Sequence, residues 1–335
     1  MEVDHYLRAD LEQVPVTARA LEQLGFDGLY TAEGPHEPFF PLVLAAEHTA
    51  RATLFTNIAI AFARSPMDLA QMADGLQRMS EGRFVLGLGS QIRPHIEHRF
   101  SMTWSRPVAR MREMVQAIKA IQAAWDDGTT LDFRGELYRH TLLPPFFDPG
   151  PNAHGAPPVW VAGLGPKMTQ CAATVADGLL VHPFHSDRFI RDHVTPAVEA
   201  GLRESGRDRS AFSVSATPIV CTGANDAEMD DARERVRALL GFYGSTPAYR
   251  VTLDAHGWGD LQVELNRLTK EGRWDAVADV LPDEVVDTIA VCCRPDEVAD
   301  RLHARYGDAV DRVGLSMPYD ASPDTLAAIV AGFRR

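Results

Sequence analysis

The chain alternates between short, nearly continuous apolar runs and longer segments in which apolar residues recur every three or four positions. The first pattern is typical of strands that are buried on both faces, and the second is typical of helices with one apolar stripe. The runs "LFTNIAIAF" at 54–62 and "RFVLGLG" at 83–89 are of the first kind, and a periodic segment lies between them. Strand and helix therefore follow each other along the chain.

The segment between those two runs carries clear helix end signals. Ser65 can cap the helix, Pro66 suits its first position, and Asp68 completes an S-x-x-D capping box. The apolar stripe that follows closes at Gly82, and an earlier periodic segment stops in the same way at Gly25. These signals predict a helix between the two strands and another before Gly25.

The alternation continues until eight strands are counted. Eight strands that alternate with helices at this length predict a (β/α)8 TIM barrel, whereas a doubly wound sheet usually has fewer strands and a recognisable switch point. We expect one domain, 1–335, with loop insertions near 128–156 and 222–285. The predicted strands are 3–7, 27–33, 54–62, 83–89, 159–163, 178–184, 212–221 and 311–317.

Composition narrows the classes of partner. The net charge of −13 argues against a nucleic-acid or anionic-membrane surface, and no apolar run approaches the roughly 18 residues of a membrane span. The first residues are charged and form no secretory signal, so we expect a cytoplasmic protein with a small-molecule substrate. The four cysteines lack zinc-ligand spacing and are interpreted as free, mostly buried thiols.

The stretch "FVLGLGSQ" at 84–91 ends a strand in G-x-G, which is half of a dinucleotide-binding fingerprint. The third glycine of that fingerprint is missing, because its position holds Ile92. Ser90 also lacks the flanking glycine of a hydrolase nucleophile elbow. Gly87 and Gly89 are therefore better explained by tight packing and close backbone approach at a strand exit.

A second glycine turn, "WVAGLGPKM" at 160–168, offers more chemistry. In a barrel, ligands bind where the strands end, at the carboxyl-terminal rim. Gly163 and Gly165 would let the backbone approach a ligand, and Pro166 suits the first position of a helix whose amides could hold a phosphate. The alternative is a tight turn that uses glycine only for its geometry.

Three polar residues near strand ends are candidates for catalysis. Glu33 follows the second strand, although a salt bridge or a cap would explain it equally simply. His36 is either a general acid or a solvated loop histidine. His95 belongs to "HIEHRF", whose spacing is not that of a known zinc motif, so we favour a polar rim loop and predict no metal.

The sequence resembles the bacterial luciferase-like monooxygenase superfamily, and within it the branch of oxidoreductases that use the deazaflavin coenzyme F420. The resemblance covers about residues 14–333. It implies a barrel, often dimeric, that binds F420 or FMN at the carboxyl-terminal rim. It is carried by "ALEQLGFDGLYTAE", "TNIAIAFARSPMDLAQMADGLQRMSEGRFVLGLGSQ", "PPVWVAGLGPKMTQCAATVADGLLVHPF" and "RPDEVADRLHARYGDAVDRVGLSMPY".

The resemblance also implies roles for individual residues. The turn that begins at Gly163 matches the one that holds the cofactor phosphate, and Ser90 matches a position that contacts the ring or its ribityl chain. Asn57 and Ile58 lie where deazaflavin members have a non-prolyl cis peptide behind the ring. The expected cofactor residues are Asn57, Ile58, Gly89, Ser90, Gly163, Leu164, Gly165, Pro166 and His182.

The sequence departs from one branch of that family at two places. Deazaflavin dehydrogenases of sugar phosphates carry Asp-His after the second strand, where this chain has Glu33-Gly34, and a glutamate where it has Ile92. We therefore do not transfer their acid pair or substrate, and Glu33, His36 and His95 are hypotheses for its replacement. The resemblance implies an F420-dependent oxidoreductase that moves a hydride to or from a small organic substrate. The alternatives are a monooxygenase that uses reduced FMN and a non-catalytic flavin- or deazaflavin-binding protein.

Overall fold

The computed structural model describes residues 1–335 and contains a closed barrel of parallel strands. Each barrel strand pairs with its neighbours in the chain, β1 pairs with β8, and pairing of β3 with β4 closes the sheet. The prediction of a (β/α)8 barrel is thus confirmed. The barrel strands are β1 (Glu2–Tyr6), β2 (Gly28–Thr31), β3 (Thr53–Thr56), β4 (Phe84–Gly89), β5 (Val159–Gly163), β6 (Gly178–Val181), β7 (Ser213–Ala216) and β8 (Arg312–Leu315).

Helices surround the barrel, and five of them form a long insertion between β7 and β8. None of the helices is long and apolar enough to cross a membrane. The helices are α1 (Val14–Leu24), α2 (Phe39–His48), α3 (Pro66–Met79), α4 (Pro107–Asp127), α5 (Pro166–Val175), α6 (Thr195–Ser205), α7 (Asp226–Ser245), α8 (Arg250–Asp254), α9 (Gly259–Lys270), α10 (Trp274–Asp279), α11 (Asp283–Ile289), α12 (Val298–Tyr306) and α13 (Pro323–Phe333).

The local helix signals of the sequence are realised. Ser65 Oγ accepts a hydrogen bond from the Asp68 amide at 3.1 Å, and the Asp68 carboxylate accepts one from the Ser65 amide at 3.3 Å. Gly25 ends α1 with a φ of 103°, in the left-handed region that glycine adopts without strain. Substituting such an N-cap serine by alanine costs on the order of 1 kcal/mol.

Side chains fill the barrel interior, so it is a core and not a pore. Tyr30, Phe55 and Trp160 form a row of rings, with centroid distances of 5.4 Å for the first pair and 5.6 Å for the second. Val85 and Leu180 complete this inner cluster. A larger cluster of 61 buried residues lies between the strands and the helices. The barrel interior itself therefore has no room for a ligand, and open space lies above this core, at the carboxyl-terminal rim.

The opposite end of the barrel is closed by a buried ion pair. The Arg312 guanidinium donates to both carboxylate oxygens of Asp4, from Nε at 3.0 Å and from an Nη atom at 2.6 Å, and links β8 to β1. Burial raises the pKa of Asp4 and lowers the pKa of Arg312 to about 10. Removing Arg312 would leave the buried carboxylate of Asp4 unpaired, which typically costs about 3–5 kcal/mol, whereas Arg312 has a second partner in Glu2.

Two of the predicted strands are interrupted, and the predictions 27–33, 178–184 and 311–317 are longer than the strands observed there, β2, β6 and β8. The predicted strand 54–62 ends at Thr56 and resumes only as Ala59–Ile60, before a short 3-10 turn. The predicted strand 212–221 is wrong as a single piece, because Pro218 has no amide to continue the ladder. Val220–Cys221 pairs instead with Val291–Cys292 in a second, two-stranded parallel sheet.

The insertion between β7 and β8 has a small core of its own. Fifteen buried residues form it, mainly from α7 to α11, together with Phe184 beyond the end of β6. The contact with Phe184 places the insertion over one side of the barrel rim. In the shorter insertion, 128–156, Phe133–Arg134 and Arg139–His140 pair in an antiparallel hairpin.

Candidate active site

A cavity of about 590 Å³ lies at the carboxyl-terminal end of the barrel. Residues at or just beyond the ends of all eight strands line it, from Tyr6 at the end of β1 to Ser316 after β8, and the long insertion adds Tyr243 and Tyr249. Just over half of the lining residues are hydrophobic. Such a largely apolar cleft with a few convergent polar groups is typical of a binding site for a cofactor and a small molecule.

The cavity brings together all but one of the residues expected to bind a cofactor. Pro166, the exception, lies just behind them at the first position of α5. The expected residues that line the cavity are Asn57, Ile58, Gly89, Ser90, Gly163, Leu164, Gly165 and His182.

The segment that links β3 to Ala59–Ile60 forms one wall of the cavity. Its peptide bond between Asn57 and Ile58 is cis, at the place where the resemblance implied one. The Asn57 side-chain amide donates to Thr217 Oγ1 at 3.1 Å, and the Ile58 carbonyl accepts from the Glu33 amide at 3.1 Å. A Cβ on Gly89 would lie 2.7 Å from the Ile58 side chain, so that glycine is what lets Ile58 sit where it does.

Glu33 lies at the cavity edge, where its carboxylate is committed to a structural contact. Oε2 accepts from the Ile60 amide and from the Arg64 guanidinium, both at 2.7 Å. The Glu33 side chain is only 4% exposed and the Arg64 side chain 17%. The salt bridge given as an alternative to a catalytic role is present, and it fixes the chain directly after Asn57 and Ile58.

The structure does not bring the other two catalytic candidates into the cavity. His36 lies exposed in the loop after β2, and His95 is exposed in the helical turn His95–Arg99. Glu97 in that turn pairs with Arg93 at 2.8 Å. No group of three or more His, Cys, Asp and Glu side chains in the chain could hold a metal ion.

The second glycine turn leads directly into α5 and leaves open space in front of it. Gly165 is the N-cap residue of α5, and a Cβ placed on it would meet nothing within 4 Å. Thr169, in the first turns of α5, is fully buried with a hydroxyl that lacks a hydrogen-bond partner. The first amides of a helix attract anions, and the first turn of α5 contains no acidic residue to repel one. This end of the cavity can hold a phosphate group.

His182 presents a defined tautomer beside the cavity. Its Nδ1 accepts a hydrogen bond from the Phe184 amide at 3.1 Å, so the neutral ring carries its proton on Nε2. Burial, helped by the neighbouring His185, lowers the pKa of His182 to about 3, and the ring is therefore neutral at pH 7. Tyr249 packs on the ring at 4.1 Å between centroids and Tyr243 meets it edge-on at 4.9 Å.

Several polar residues that line the cavity were not among the expected site residues. Tyr6, Arg8 and Thr217 lie at or just after strand ends, so the rule that selected Glu33 could have found them. Tyr243 and Tyr249 carry no such signal, because they belong to the insertion and reach the rim only through tertiary packing.

The comparisons with known proteins agree with this architecture. The family model of luciferase-like monooxygenases matches residues 2–312. The chain therefore belongs to the luciferase-like monooxygenase family, whose members include oxidoreductases and monooxygenases.

Two relatives and one solved structure illustrate this. A protein of Mycobacterium tuberculosis is 49% identical over 335 residues, which cover 100% of this chain and 98% of the relative. A 5,10-methylenetetrahydromethanopterin reductase of Archaeoglobus fulgidus is 28% identical over 306 residues, 89% of this chain and 87% of the relative. The structure of a coenzyme F420-dependent tetrahydromethanopterin reductase from Methanopyrus kandleri superposes with a TM-score of 0.79 at 17% identity, and the match covers 98% of this chain and 96% of that one.

Proposed function

We propose that this protein is a coenzyme F420-dependent oxidoreductase that transfers a hydride between the deazaflavin and a small organic substrate. The observation that carries the proposal is the open turn at Gly165 before α5, which lines the same cavity as Asn57, Ile58 and Ser90. A relative from Mycobacterium tuberculosis that is 27% identical over 330 residues is named as a putative coenzyme F420-dependent oxidoreductase, which supports the deazaflavin rather than FMN.

The residues of the cavity suit the two ends of such a cofactor. The turn Gly163–Gly165 and the first amides of α5 would hold the phosphate, because they offer open space and a favourable dipole there. Asn57 and Ile58 would lie behind the ring, with Gly89 and Ser90 beside it. Glu33 is a positioning residue in this arrangement, since it holds the chain after Ile58 through the Ile60 amide.

The bound deazaflavin would supply the carbon that accepts or gives the hydride. The protein would supply orientation and a dry pocket, with Tyr243 and Tyr249 covering the side that faces the insertion. His182 holds its proton at Nε2 and, being neutral, would donate a hydrogen bond to a substrate oxygen without bringing a charge into the pocket.

Titration of the purified protein with F420 and with FMN, followed by absorbance and fluorescence, tests the cofactor. We expect tight binding of F420 and much weaker binding of FMN. Binding of FMN alone would contradict the proposal. If the protein binds neither F420 nor FMN, it does not catalyse hydride transfer with either cofactor.

A matched pair of glycine variants tests the phosphate end of the site. Gly165→Ala puts a methyl into the open space before α5, and we expect at least a tenfold loss of F420 affinity. Gly75→Ala, in the middle of α3, also meets nothing within 4 Å and should leave the affinity unchanged. If the two variants bind F420 with equal affinity, the cofactor phosphate does not bind at this turn.

The side-chain roles can be separated by single-turnover hydride transfer with a carbonyl compound that the wild type reduces. His182→Phe, which removes the Nε2 proton, should slow transfer about 10²-fold or more. His36→Ala and His95→Ala, whose side chains lie outside the cavity, should transfer at the wild-type rate. Glu33→Gln should chiefly weaken cofactor binding; a slow transfer step at full saturation would instead make Glu33 a catalytic residue.

A monooxygenase that uses reduced FMN is the second candidate, and the description of the family model favours it. The two candidates differ in oxygen chemistry, because deazaflavin does not readily form the oxygen adduct on which monooxygenation depends. Oxygen uptake in the presence of reduced FMN and an organic substrate, coupled to an oxygenated product, would establish the second candidate in place of the first.

A further inference from the structure

Two cysteines meet where the long insertion leaves and rejoins the barrel. Cys221 ends the short strand before α7, and Cys292 ends the short strand after α11. The two residues are direct partners in the register of the second sheet. The whole insertion, α7 to α11, therefore lies between two cysteines that are neighbours in space.

Both side chains lie on the same side of this sheet. In-register neighbours of a parallel pair point to the same face, and Cys221 and Cys292 both pack in the core of the insertion. The adjacent Cys293 packs instead in the large barrel cluster. Paired strands lie about 4.8 Å apart, which is within the roughly 4.4–6.8 Å between Cα atoms that a disulfide needs.

The surroundings of Cys292 favour a reactive thiol. Cys292 is partly exposed, whereas Cys221 is fully buried. The neighbouring Cys221 thiol and the Arg233 guanidinium, 3.7 Å from Cys292 Sγ, lower the pKa of Cys292. Burial of the thiol, and to a smaller extent the Asp287 carboxylate, which pairs with Arg233 at 2.7 Å, partly oppose this lowering of the pKa. A partly exposed thiol beside a guanidinium and a second thiol is the arrangement of redox-active cysteines.

We propose that Cys221 and Cys292 form a reversible dithiol–disulfide pair that a peroxide oxidises and a thiol reduces. The Cys292 thiolate attacks one oxygen of hydrogen peroxide, the O–O bond breaks, and hydroxide leaves as Cys292 becomes a sulfenic acid. The Cys221 thiol sulfur then attacks the Cys292 sulfur, the S–O bond breaks, and the leaving hydroxide takes the Cys221 proton and departs as water. The hydroxide of the first step takes up the proton that the Cys292 thiol lost when it ionised. Two thiols and one peroxide give one disulfide and two waters.

The disulfide would close the base of the insertion covalently. That insertion carries Tyr243 and Tyr249 to the cavity, so the bond would hold one wall of the cavity to the barrel in the oxidised protein. A cross-link around so long a segment stabilises mainly by restricting the unfolded chain. The proposal does not depend on which cofactor the cavity binds.

Peptide mapping of the full-length protein tests the pairing directly. The protein is treated with stepwise hydrogen peroxide, quenched in acid, alkylated under denaturing conditions and digested without reductant. We expect a linked peptide pair that contains Cys221 and Cys292, 2 Da lighter than the two thiol peptides, which disappears with dithiothreitol. A link to Cys293 or Cys171, or only sulfinic or sulfonic acid at Cys292, would overturn the proposal.

Two matched serine variants provide the control, since Cys292 and Cys293 are adjacent but face different cores. Oxidised wild type and oxidised C293S should melt a few degrees above their reduced forms, and C292S should show no such difference. A rise in C292S, or none in the wild type, would show that the bond does not close the insertion. If C292S does not fold, the linked peptide in the wild type still decides.

Discussion

The tripeptide Gly-Leu-Gly occurs twice at the rim, at 87–89 and at 163–165, and the two copies meet different surroundings. In the first copy a Cβ on Gly87 would lie 1.7 Å from the Thr56 carbonyl oxygen, and one on Gly89 would lie 2.7 Å from Ile58. In the second copy a Cβ on Gly163 would touch its neighbours at 3.1 Å, and one on Gly165 would meet nothing within 4 Å.

The two pairs of glycines serve different purposes. The first pair lets β4 pack against β3 and lets Ile58 form the cavity wall. In the second pair, Gly163 is needed for packing, whereas Gly165 faces open space that the protein itself does not fill. The same tripeptide therefore meets a packing requirement in β4, and under the proposed function its second copy leaves room for a ligand. Four alanine variants test this difference.

Gly87→Ala should have the largest effect. The added methyl collides with backbone, and the collision falls where Thr56 Oγ1 bonds both the amide and the carbonyl of Gly87, at 2.9 and 2.7 Å. We expect a loss of about 4 kcal/mol or more in the free energy of unfolding, or no folded protein. Urea unfolding of the ligand-free protein measures it; a loss below about 1 kcal/mol would contradict the packing role.

Gly89→Ala should cost about 1–3 kcal/mol, because it collides with a side chain that can shift. A shifted Ile58 should also weaken cofactor binding. Adding Ile58→Ala removes the colliding atoms, so the double variant should be more stable than the sum of the two single losses predicts. Strict additivity in the same urea experiments would mean that Ile58 is not the obstacle.

Gly163→Ala should cost about 1 kcal/mol. Its methyl would lie 3.1 Å from Leu179 Cδ1 and from Thr169 Oγ1. The flexible leucine side chain can move away by a few tenths of an ångström. Thermal and urea unfolding should agree on this small loss. A loss as large as that of Gly87→Ala would mean that the second turn is as tightly packed as the first.

Gly165→Ala should change stability least, by no more than about 0.5 kcal/mol. Its φ of −73° suits alanine. Replacing glycine lowers the conformational entropy of the unfolded chain, and this stabilising effect offsets the weaker N-cap that alanine makes. This variant should instead show the loss of F420 affinity expected above. A protein that is destabilised yet binds normally would reverse the comparison between the two turns.

Much of the fold could be predicted from the sequence because its signals are local. The capping box at Ser65 and the stop at Gly25 act within one helical turn, and buried parallel strands show as apolar runs without reference to their partners. The prediction was wrong where tertiary pairing overrides the local sequence pattern. The run 212–221 is apolar throughout, but Pro218 interrupts it and its last residues join a different sheet.

The site was predictable where the barrel rule applies and not beyond it. Strand ends converge in this fold, so Asn57, Gly89, Gly163 and His182 could be placed together before the structure was known. The salt-bridge partner of Glu33 could not be predicted in this way, because Arg64 reaches Glu33 only through the turn that follows Ile60. The insertion lacks a fold rule of its own, and its tyrosines lie at the rim for reasons of packing that no short pattern records.

The buried pair of Asp4 and Arg312 has a consequence for the order in which the protein is made. The two residues are 308 positions apart, yet they join adjacent strands. A ribosome adds roughly 5–20 residues per second, so β1 waits on the order of tens of seconds for its second neighbour. Throughout that time one edge of β1 has no partner strand and the Asp4 carboxylate is not neutralised. Such an edge can pair with another nascent chain. Synthesis of β8 ends that exposure, and a stalled ribosome prolongs it.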